Sequence, residues 1–434
     1  MTAGERRVKK LAKSTSVPMM PVRPGKTYPL SPLDHMMAAH TVHLVFYYRA
    51  AAAMEGTVLK ESLSEVLTHY PAMAGRLGSG EDGNWVVRCN DAGVRVVDAK
   101  AEVTLDRWLE TATAEEEMDL AHWEPMGDDT SIWSPFYIQI TEFEDKGYAI
   151  GLSFPHMHAD PTCAIFFIKA WGDAHRRACI LNPPFFHPPG LRSSRPVPNP
   201  SSPFLSLKSL SSSSSSSPMS SATFVFSDSS LKSLISDHQS SSCPEATPFS
   251  ILAALFWSRI AGGTGSRALT VGTDFRKRMH APLPHGFYGN AIHFSAVTAE
   301  LGGGVGSVAE RIRGHVEGME EEEYWSAIEW VEERKTAEGT YLPAFTMYGP
   351  ELTCVNLEHV SAYGAVFEKG DGGRAAHVTC RFGGVVGEGV VVVMPAPEEG
   401  MGRTVSVTLP EDLTVRICRD EVISRYEPLV MFEG

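Results

Sequence analysis

Residues 148–175 have the sequence YAIGLSFPHMHADPTCAIFFIKAWGDAH, and the rest of the chain can be placed around them. Residues 148–154 alternate between large apolar and small side chains, which is the period of a strand with one buried face. Residues 136–143 alternate in the same way. The turn-forming residues 144–147 separate the two stretches, so the sequence predicts a β-hairpin.

A helix is predicted to follow this hairpin. Asp160 followed by Pro161 is typical of a helix N-cap with proline at the first helical position. Apolar residues then recur at helical spacing as far as His175. His156 therefore lies between a strand end and a helix start, where rigid elements hold the side chain and it can face a cleft.

The segment HMHAD, His156 to Asp160, allows three interpretations. H-x-H-x-D begins the metal site of some binuclear hydrolases, but Pro161 stands where a further ligand would be expected. As plain structure, His156 is a polar strand end and Asp160 a helix cap, and H-x-x-x-D arises by chance about once in a chain with this many histidines. In acyl transfer, His156 would be the general base that takes a proton from an alcohol or amine attacking a thioester.

The composition indicates a globular protein with two cores. The chain has 434 residues, of which 43% are hydrophobic and 21% charged, and this length is typical of two domains. The net charge of −14 argues against nucleic acid and against docking on anionic lipid. The cysteines are widely spaced without a C-x-x-C pair, which favours a reducing compartment without structural zinc. The sequence lacks a long apolar run and a signal-peptide core, so we expect no membrane span and a cytosolic location.

Composition also divides the chain into four parts. Residues 1–16 are polar and basic, and we expect a disordered leader. Residues 17–182 form a predicted N-terminal domain and residues 222–434 a predicted C-terminal domain. Residues 183–221 contain nine prolines and the serine run Ser211–Ser217, which predicts a partly mobile crossover linker.

Several helices and strands are predicted within the two domains. Apolar spacing predicts helices over Thr57–His69, Pro248–Ile260 and 307–335. Strands are predicted at Thr41–Tyr48 and near 374–382, where β-branched and aromatic residues concentrate.

A set of short motifs follows in order along the chain. They are LSPLD at 30–34, HYPAMAGRL at 69–77, H-x-x-x-D from His156 to Asp160, FSILAALFWSRI at 249–260, TDFRKR at 273–278 and GFYGN at 286–290. Together they resemble the motifs of the BAHD acyltransferase superfamily of plants, over about residues 17–430. Pro161 replaces the glycine that usually follows the family's H-x-x-x-D.

This resemblance implies an α/β fold of two similar chloramphenicol-acetyltransferase-like domains, with mixed sheets flanked by helices and a long crossover loop. It places the catalytic histidine, here His156, in a channel between the domains that acyl-CoA and an acceptor enter from opposite faces. Asp160 then gives structural support through an ion pair with Arg276 or Arg278, beside Asp274. No metal and no bound cofactor are implied, and acyl-CoA is a possible substrate or ligand.

One departure from the family pattern identifies a branch. The second signature, D-F-G-W-G, is missing from the aligned residues 362–370, AYGAVFEKG. The segments VRPGKTYPLSPLDH at 22–35, SFPHMHAD at 153–160 and EHVSAYGAVFEKG at 358–370 resemble the Eceriferum- and Glossy-type proteins of cuticular wax synthesis.

The branch implies an accessory function. Such proteins act beside a ketoacyl-CoA synthase of the endoplasmic reticulum and promote elongation to very long acyl chains, without needing their H-x-x-x-D motif. We therefore expect an accessory protein of the elongase, peripheral at the cytosolic face of that membrane. The alternative is a working acyl-CoA-dependent O- or N-acyltransferase with His156 as general base, so whether the chain is an enzyme stays open at this point.

Overall fold

The computed structural model describes residues 6–49, 54–186, 202–210, 217–238, 246–279, 283–368 and 373–434. The strands are β1 Val8–Ser16, β2 Thr27–Pro29, β3 Thr41–Tyr48, β4 Arg76–Ser79, β5 Trp85–Arg88, β6 Val94–Ala101, β7 Tyr137–Phe143, β8 Tyr148–Pro155, β9 Met219–Phe226, β10 Ser266–Asp274, β11 Ile292–Glu300, β12 Thr353–Asn356, β13 Ala375–Gly383, β14 Val390–Pro395, β15 Arg403–Pro410 and β16 Leu429–Met431. The α-helices are α1 Pro32–Met36, α2 Gly56–Leu67, α3 Leu105–Thr111, α4 Ala114–Met118, α5 Pro161–His175, α6 Ser202–Leu210, α7 Asp228–His238, α8 Pro248–Ile260, α9 Val305–Glu317, α10 Glu321–Glu332, α11 Glu411–Cys418 and α12 Glu421–Ser424.

Two large mixed sheets organise the described residues. The first has the strand order β1-β6-β7-β8-β3-β13, and the second has the order β11-β10-β12-β14-β15-β9-β16. In the first sheet β6 and β7 are parallel while β7 and β8 are antiparallel. In the second sheet β12 is parallel to both β10 and β14, and the remaining pairs are antiparallel. The predicted α/β architecture with mixed sheets and flanking helices is confirmed.

The predicted hairpin and the helix after it are present as β7, β8 and α5. The burial of β8 differs from the prediction, because every residue of this strand is buried rather than one face alone. The face with small side chains is covered closely, since a Cβ on Gly151 would collide with the carbonyl oxygen of Leu120. The small residues of the pattern therefore indicate tight packing and not exposure.

The expectation of a disordered leader over residues 1–16 is wrong for Val8–Ser16. These residues form β1, which pairs with β6 at the edge of the first sheet. Seven of its nine residues are exposed, and lysines suit an exposed edge strand because they discourage further strand pairing. Residues 1–5 lie outside the described residues.

The expectation of a partly mobile linker over 183–221 does not hold for the described part of this range, which is ordered. Phe185 bridges to Phe287, and α6 packs on the body of the protein through buried Phe204 and Leu205. Strand β9 already begins at Met219. Residues 187–201 and 211–216, which include most of the serine run, lie outside the described residues.

Two further boundaries differ from the predictions. Strand β13 comes from the expected C-terminal domain, yet it pairs with β3, so the first sheet includes one strand from residues 222–434. The single helix predicted over 307–335 is two helices, α9 and α10. Gly318 ends α9, and the glutamates in the first turn of α10 favour a new N-terminus there because they complement the helix dipole.

Candidate active site

The backbone of His156 is fixed on both sides by the rest of the chain. Its amide donates to the carbonyl oxygen of His40 at 2.8 Å, and its carbonyl oxygen accepts from Asn290 Nδ2 at 2.8 Å. It follows the last residue of β8, as the sequence predicts. The cleft expected beside it is not open, because the His156 side chain is 0% exposed.

The imidazole of His156 has one partner among the described side chains. Nε2 forms a 2.9 Å hydrogen bond with the hydroxyl of Tyr348, while Nδ1 has no partner in the described part of the chain. Burial lowers the pKa of His156 to about 4, and the charge of Asp160 and nearby hydrogen bonds oppose this only in part. The ring is therefore neutral at pH 7, the state that a general base requires.

Asp160 holds the start of α5 rather than the imidazole. Its carboxylate accepts from the amide of Cys163 at 3.0 Å, as an N-cap, and from the amide of Ala291 at 2.9 Å. Arg276 Nη2 lies 2.9 Å from the same carboxylate, and both side chains are buried. These contacts are those of a structural support.

Arg276 is shared between two carboxylates. It also pairs with Asp274, whose Oδ1 accepts from the Arg276 amide at 2.9 Å. Burial raises the pKa of Asp274, but Arg276 and His359 outweigh it and hold the pKa below its usual range. Arg278, the other candidate for this ion pair, lies elsewhere and donates to the carbonyl oxygen of Val316 at 2.5 Å. The inclusion of Arg278 in the pair was wrong.

Two positioning residues come from motifs to which the sequence assigned no role. Asp34 of LSPLD accepts from Asn290 of GFYGN twice, at 3.0 Å from the backbone amide and at 2.7 Å from Nδ2. The same Nδ2 donates to the His156 carbonyl oxygen. Burial raises the pKa of Asp34, while its hydrogen bonds with Asn290 and Ser31 lower it in part. A buried polar chain thus runs from the first helix to the turn that carries His156.

The second histidine of HMHAD lies apart from this network. His158 is buried, and neither ring nitrogen has a partner among the described residues. It lines a cavity of about 30 Å³ together with Asp34 and Tyr288, a volume sufficient for about one or two water molecules. No group of three or more metal-binding side chains occurs in the described ranges.

Ala365 and Val366, which lie in the stretch that replaces the second signature, are held by hydrogen bonds from β3 and from the end of α5. Arg176 Nε donates to the Val366 carbonyl oxygen at 2.8 Å, and Tyr48 donates to the Ala365 carbonyl oxygen at 3.1 Å. A Cβ on Gly172 would lie 2.5 Å from the Val366 oxygen, so helix and loop approach closely there. The loop thus has its own anchors without a D-F-G-W-G sequence.

Comparison with known proteins shows the family to which this chain belongs. A family model described as the Transferase family matches residues 7–420, nearly the whole chain. The chain belongs to this family, the BAHD transferases. The expectation drawn from its motifs is confirmed at the level of the family. Within the described residues, no helix has the length and apolar character needed to cross a bilayer.

The BAHD relatives carry names of two kinds. A hydroxycinnamoyltransferase of Narcissus pseudonarcissus is 28% identical, over 87% of this chain and 90% of that protein. Protein ECERIFERUM 26-like of Arabidopsis thaliana is 27% identical, over 92% of this chain and 91% of that protein. The two relatives thus match this chain about equally well.

Solved structures confirm the predicted two-domain fold. Vinorine synthase superposes with a TM-score of 0.72 at 19% identity, covering 94% of this chain and 96% of that chain. TRI101 of F. sporotrichioides, complexed with coenzyme A and T-2, gives a TM-score of 0.71 at 14% identity, covering 94% of this chain and 100% of that chain. At these identities the likeness concerns the BAHD fold alone.

Proposed function

We propose that this chain is a BAHD-type accessory protein that promotes elongation of very-long-chain fatty acyl-CoA for cuticular wax, together with a ketoacyl-CoA synthase. The observation that carries the proposal is the hydrogen bond between His156 Nε2 and the Tyr348 hydroxyl, both fully buried. A general base must reach the proton of the acceptor directly or through one water. Here the chain's own phenol occupies the Nε2 side of the imidazole.

The replaced second signature supports the same proposal. Residues 362–370 lack D-F-G-W-G, yet Tyr48 of β3 and Arg176 at the end of α5 donate hydrogen bonds to the carbonyl oxygens of Ala365 and Val366 in this stretch. A BAHD fold in which Tyr348 covers Nε2 of the histidine suits a protein that acts through a partner. The relatives named ECERIFERUM 26-like and ECERIFERUM 2 are consistent with that role.

The ligand and the location of this chain follow from its partner, the ketoacyl-CoA synthase. Acyl-CoA is a ligand or a transient substrate of this chain and not a bound cofactor. The chain acts as a peripheral protein at the cytosolic face of the endoplasmic reticulum, because the elongase synthase resides in that membrane.

A second candidate function is acyl-CoA-dependent O- or N-acyl transfer with His156 as general base. One observation favours it: the support for the histidine is complete. The ion pair of Asp160 with Arg276 is present, and the imidazole is neutral because burial lowers its pKa. Once an acceptor replaced the Tyr348 hydroxyl, His156 could take its proton.

Co-expression tests the accessory function. The chain is produced with each of several ketoacyl-CoA synthases in a host that makes no very-long-chain products, and acyl lengths are measured by gas chromatography. We expect longer acyl chains than each synthase makes alone. The matched control is the hydroxycinnamoyltransferase of Narcissus pseudonarcissus, which shares the family and should leave the profile unchanged. An unchanged profile with every synthase would refute the accessory function.

A further inference from the structure

The Tyr348 hydroxyl lies where an acyl acceptor would have to bind. It is 2.9 Å from His156 Nε2, within the distance of about 2.6–3.2 Å over which a general base takes a proton. A hydroxyl or amine that Nε2 deprotonates would need this same position. Tyr348 and an acceptor therefore exclude each other.

The aromatic ring of Phe382 closes the remaining space around the pair. It stacks on Tyr348 with ring centroids 4.4 Å apart and lies nearly parallel to the His156 ring at 5.6 Å. All three side chains are at most 4% exposed. The Nε2 side of the imidazole is thus covered by the chain's own side chains.

The backbone around Tyr348 is held by groups other than His156. Residues 341–350, here called the 341–350 segment, lie between α10 and β12 and adopt neither helix nor strand. The amide of Met347 donates to His40 Nε2 at 3.0 Å, and the carbonyl oxygen of Tyr348 accepts from the Val386 amide at 3.0 Å. The position of Tyr348 is therefore set by anchors on both sides of its side chain.

A third anchor comes from the crossover between the two halves. Lys208 of α6 donates to the carbonyl oxygen of Gly349, the residue after Tyr348. It also forms an ion pair of 2.9 Å with Glu351, and its side chain is 1% exposed. Burying an ammonium group is costly unless it is paired, so this contact ties the segment to α6.

We propose that the side chain of Tyr348 closes the acyl-transfer site by filling the space beside His156 that an acceptor would need, and that the 341–350 segment is the anchored strap that keeps it there. This inference rests on the proposed function, in which the transferase reaction is not used. It adds the structural cause: the Tyr348 side chain prevents acyl transfer at His156, although His156 and its supporting residues are present.

Chemical labelling of the purified protein tests this proposal. Diethyl pyrocarbonate modifies accessible neutral imidazole, and peptide mass spectrometry gives the rate at each histidine. His156 should react far more slowly than exposed His69 in the wild type. In Tyr348→Ala, labelling of His156 should rise about tenfold or more, equivalent to about 1.4 kcal/mol.

Tyr348→Phe is the matched variant. It removes the hydroxyl but keeps the ring in place, so His156 should stay protected. Equal gains in the Phe and Ala variants would overturn the proposal, because protection would then come from the hydrogen bond rather than from occupied space. Wild-type His156 that reacts as fast as His69 would overturn it as well.

Labelling of a second buried histidine, His377, is the control for global unfolding. His377 is 3% exposed and belongs to the strand β13, so it reports global unfolding. If its labelling also rises in Tyr348→Ala, Lys208→Met takes the place of that variant, since it loosens the strap without touching the site. We expect Lys208→Met to raise labelling of His156 alone, and unchanged labelling of His156 would overturn the strap. These measurements involve no synthase, so their failure is distinct from a failure of the elongation assay.

Discussion

Arg276 Nη2 lies 2.9 Å from Asp160 Oδ2, and through this contact the end of β10 holds the N-terminus of α5. The arginine side chain is 5% exposed and the aspartate 0%. The pair joins residues 116 positions apart, so it links the two halves of the chain beside the turn that carries His156.

Replacing Asp160 should show what the pair contributes. Asp160→Asn keeps a capping oxygen but leaves Arg276 with less compensation, and we expect a loss of about 3–5 kcal/mol in the free energy of unfolding. Urea denaturation measures this. Arg278→Gln is the control and should lose only about 0.5–1.5 kcal/mol, because Arg278 makes a hydrogen bond to a carbonyl instead of a buried ion pair. A loss near 1 kcal/mol for Asp160→Asn would show that Asp160 contributes only as a helix N-cap and not through the ion pair.

Local patterns were sufficient to predict the strand, turn and helix around His156. The alternation of β8 and the Asp-Pro cap of α5 are encoded within a few residues of each other. The partner of Asp160 was predicted only as one of two arginines. Both follow the same strand end, and only the three-dimensional path of the chain points Arg276 inward and Arg278 toward α9.

The contact between Tyr348 and His156 could not be predicted from local sequence patterns. Tyr348 lies 192 residues from His156 in a segment without periodicity, and Asp34 lies 256 residues from Asn290. Neither pairing can be recognised from the residues that surround it in the sequence. Strand β1 was missed for a different reason: an exposed edge strand buries almost nothing, so its composition resembles that of a disordered segment.

The crossover should contain one structural part and one dispensable part. Lys208→Met leaves the carbonyl oxygen of Gly349 and the carboxylate of Glu351 without their buried partner, and we expect a loss of about 1–3 kcal/mol. Deleting four residues of Ser211–Ser217 should change stability by well under 1 kcal/mol, since loop-closure free energy changes by about 0.6 kcal/mol per doubling of length. Thermal and urea unfolding compare the two. Equal losses would mean that the serine run also packs on the body.

Acid should destabilise the fold through buried His158. Burial lowers the pKa of His158 to about 3, from an ordinary value of 6.5. Below pH 6.5 the unfolded chain binds a proton there that the folded chain does not, so stability falls as the pH drops toward the folded pKa. One such residue contributes a slope of about 1.4 kcal/mol per pH unit. His158→Leu should flatten the curve of unfolding free energy against pH by about that slope, whereas the neighbouring Met157→Leu should not. Identical slopes in both variants would contradict the burial of a neutral His158.

Replacing His156 distinguishes acyl transfer by this chain from its proposed action on a ketoacyl-CoA synthase. The site is filled, so His156→Gln is a better variant than alanine: it preserves most of the volume and retains a hydrogen-bond acceptor for Tyr348. A general base contributes about two to four orders of magnitude in rate, so any acyl transfer, measured as release of free coenzyme A, should disappear. Circular dichroism should show an unchanged fold. Elongation with the synthase should persist, because the proposed function does not use the imidazole. If a well-folded His156→Gln no longer lengthened acyl chains, catalysis would be part of the function, and the acyltransferase would be the better account of this protein.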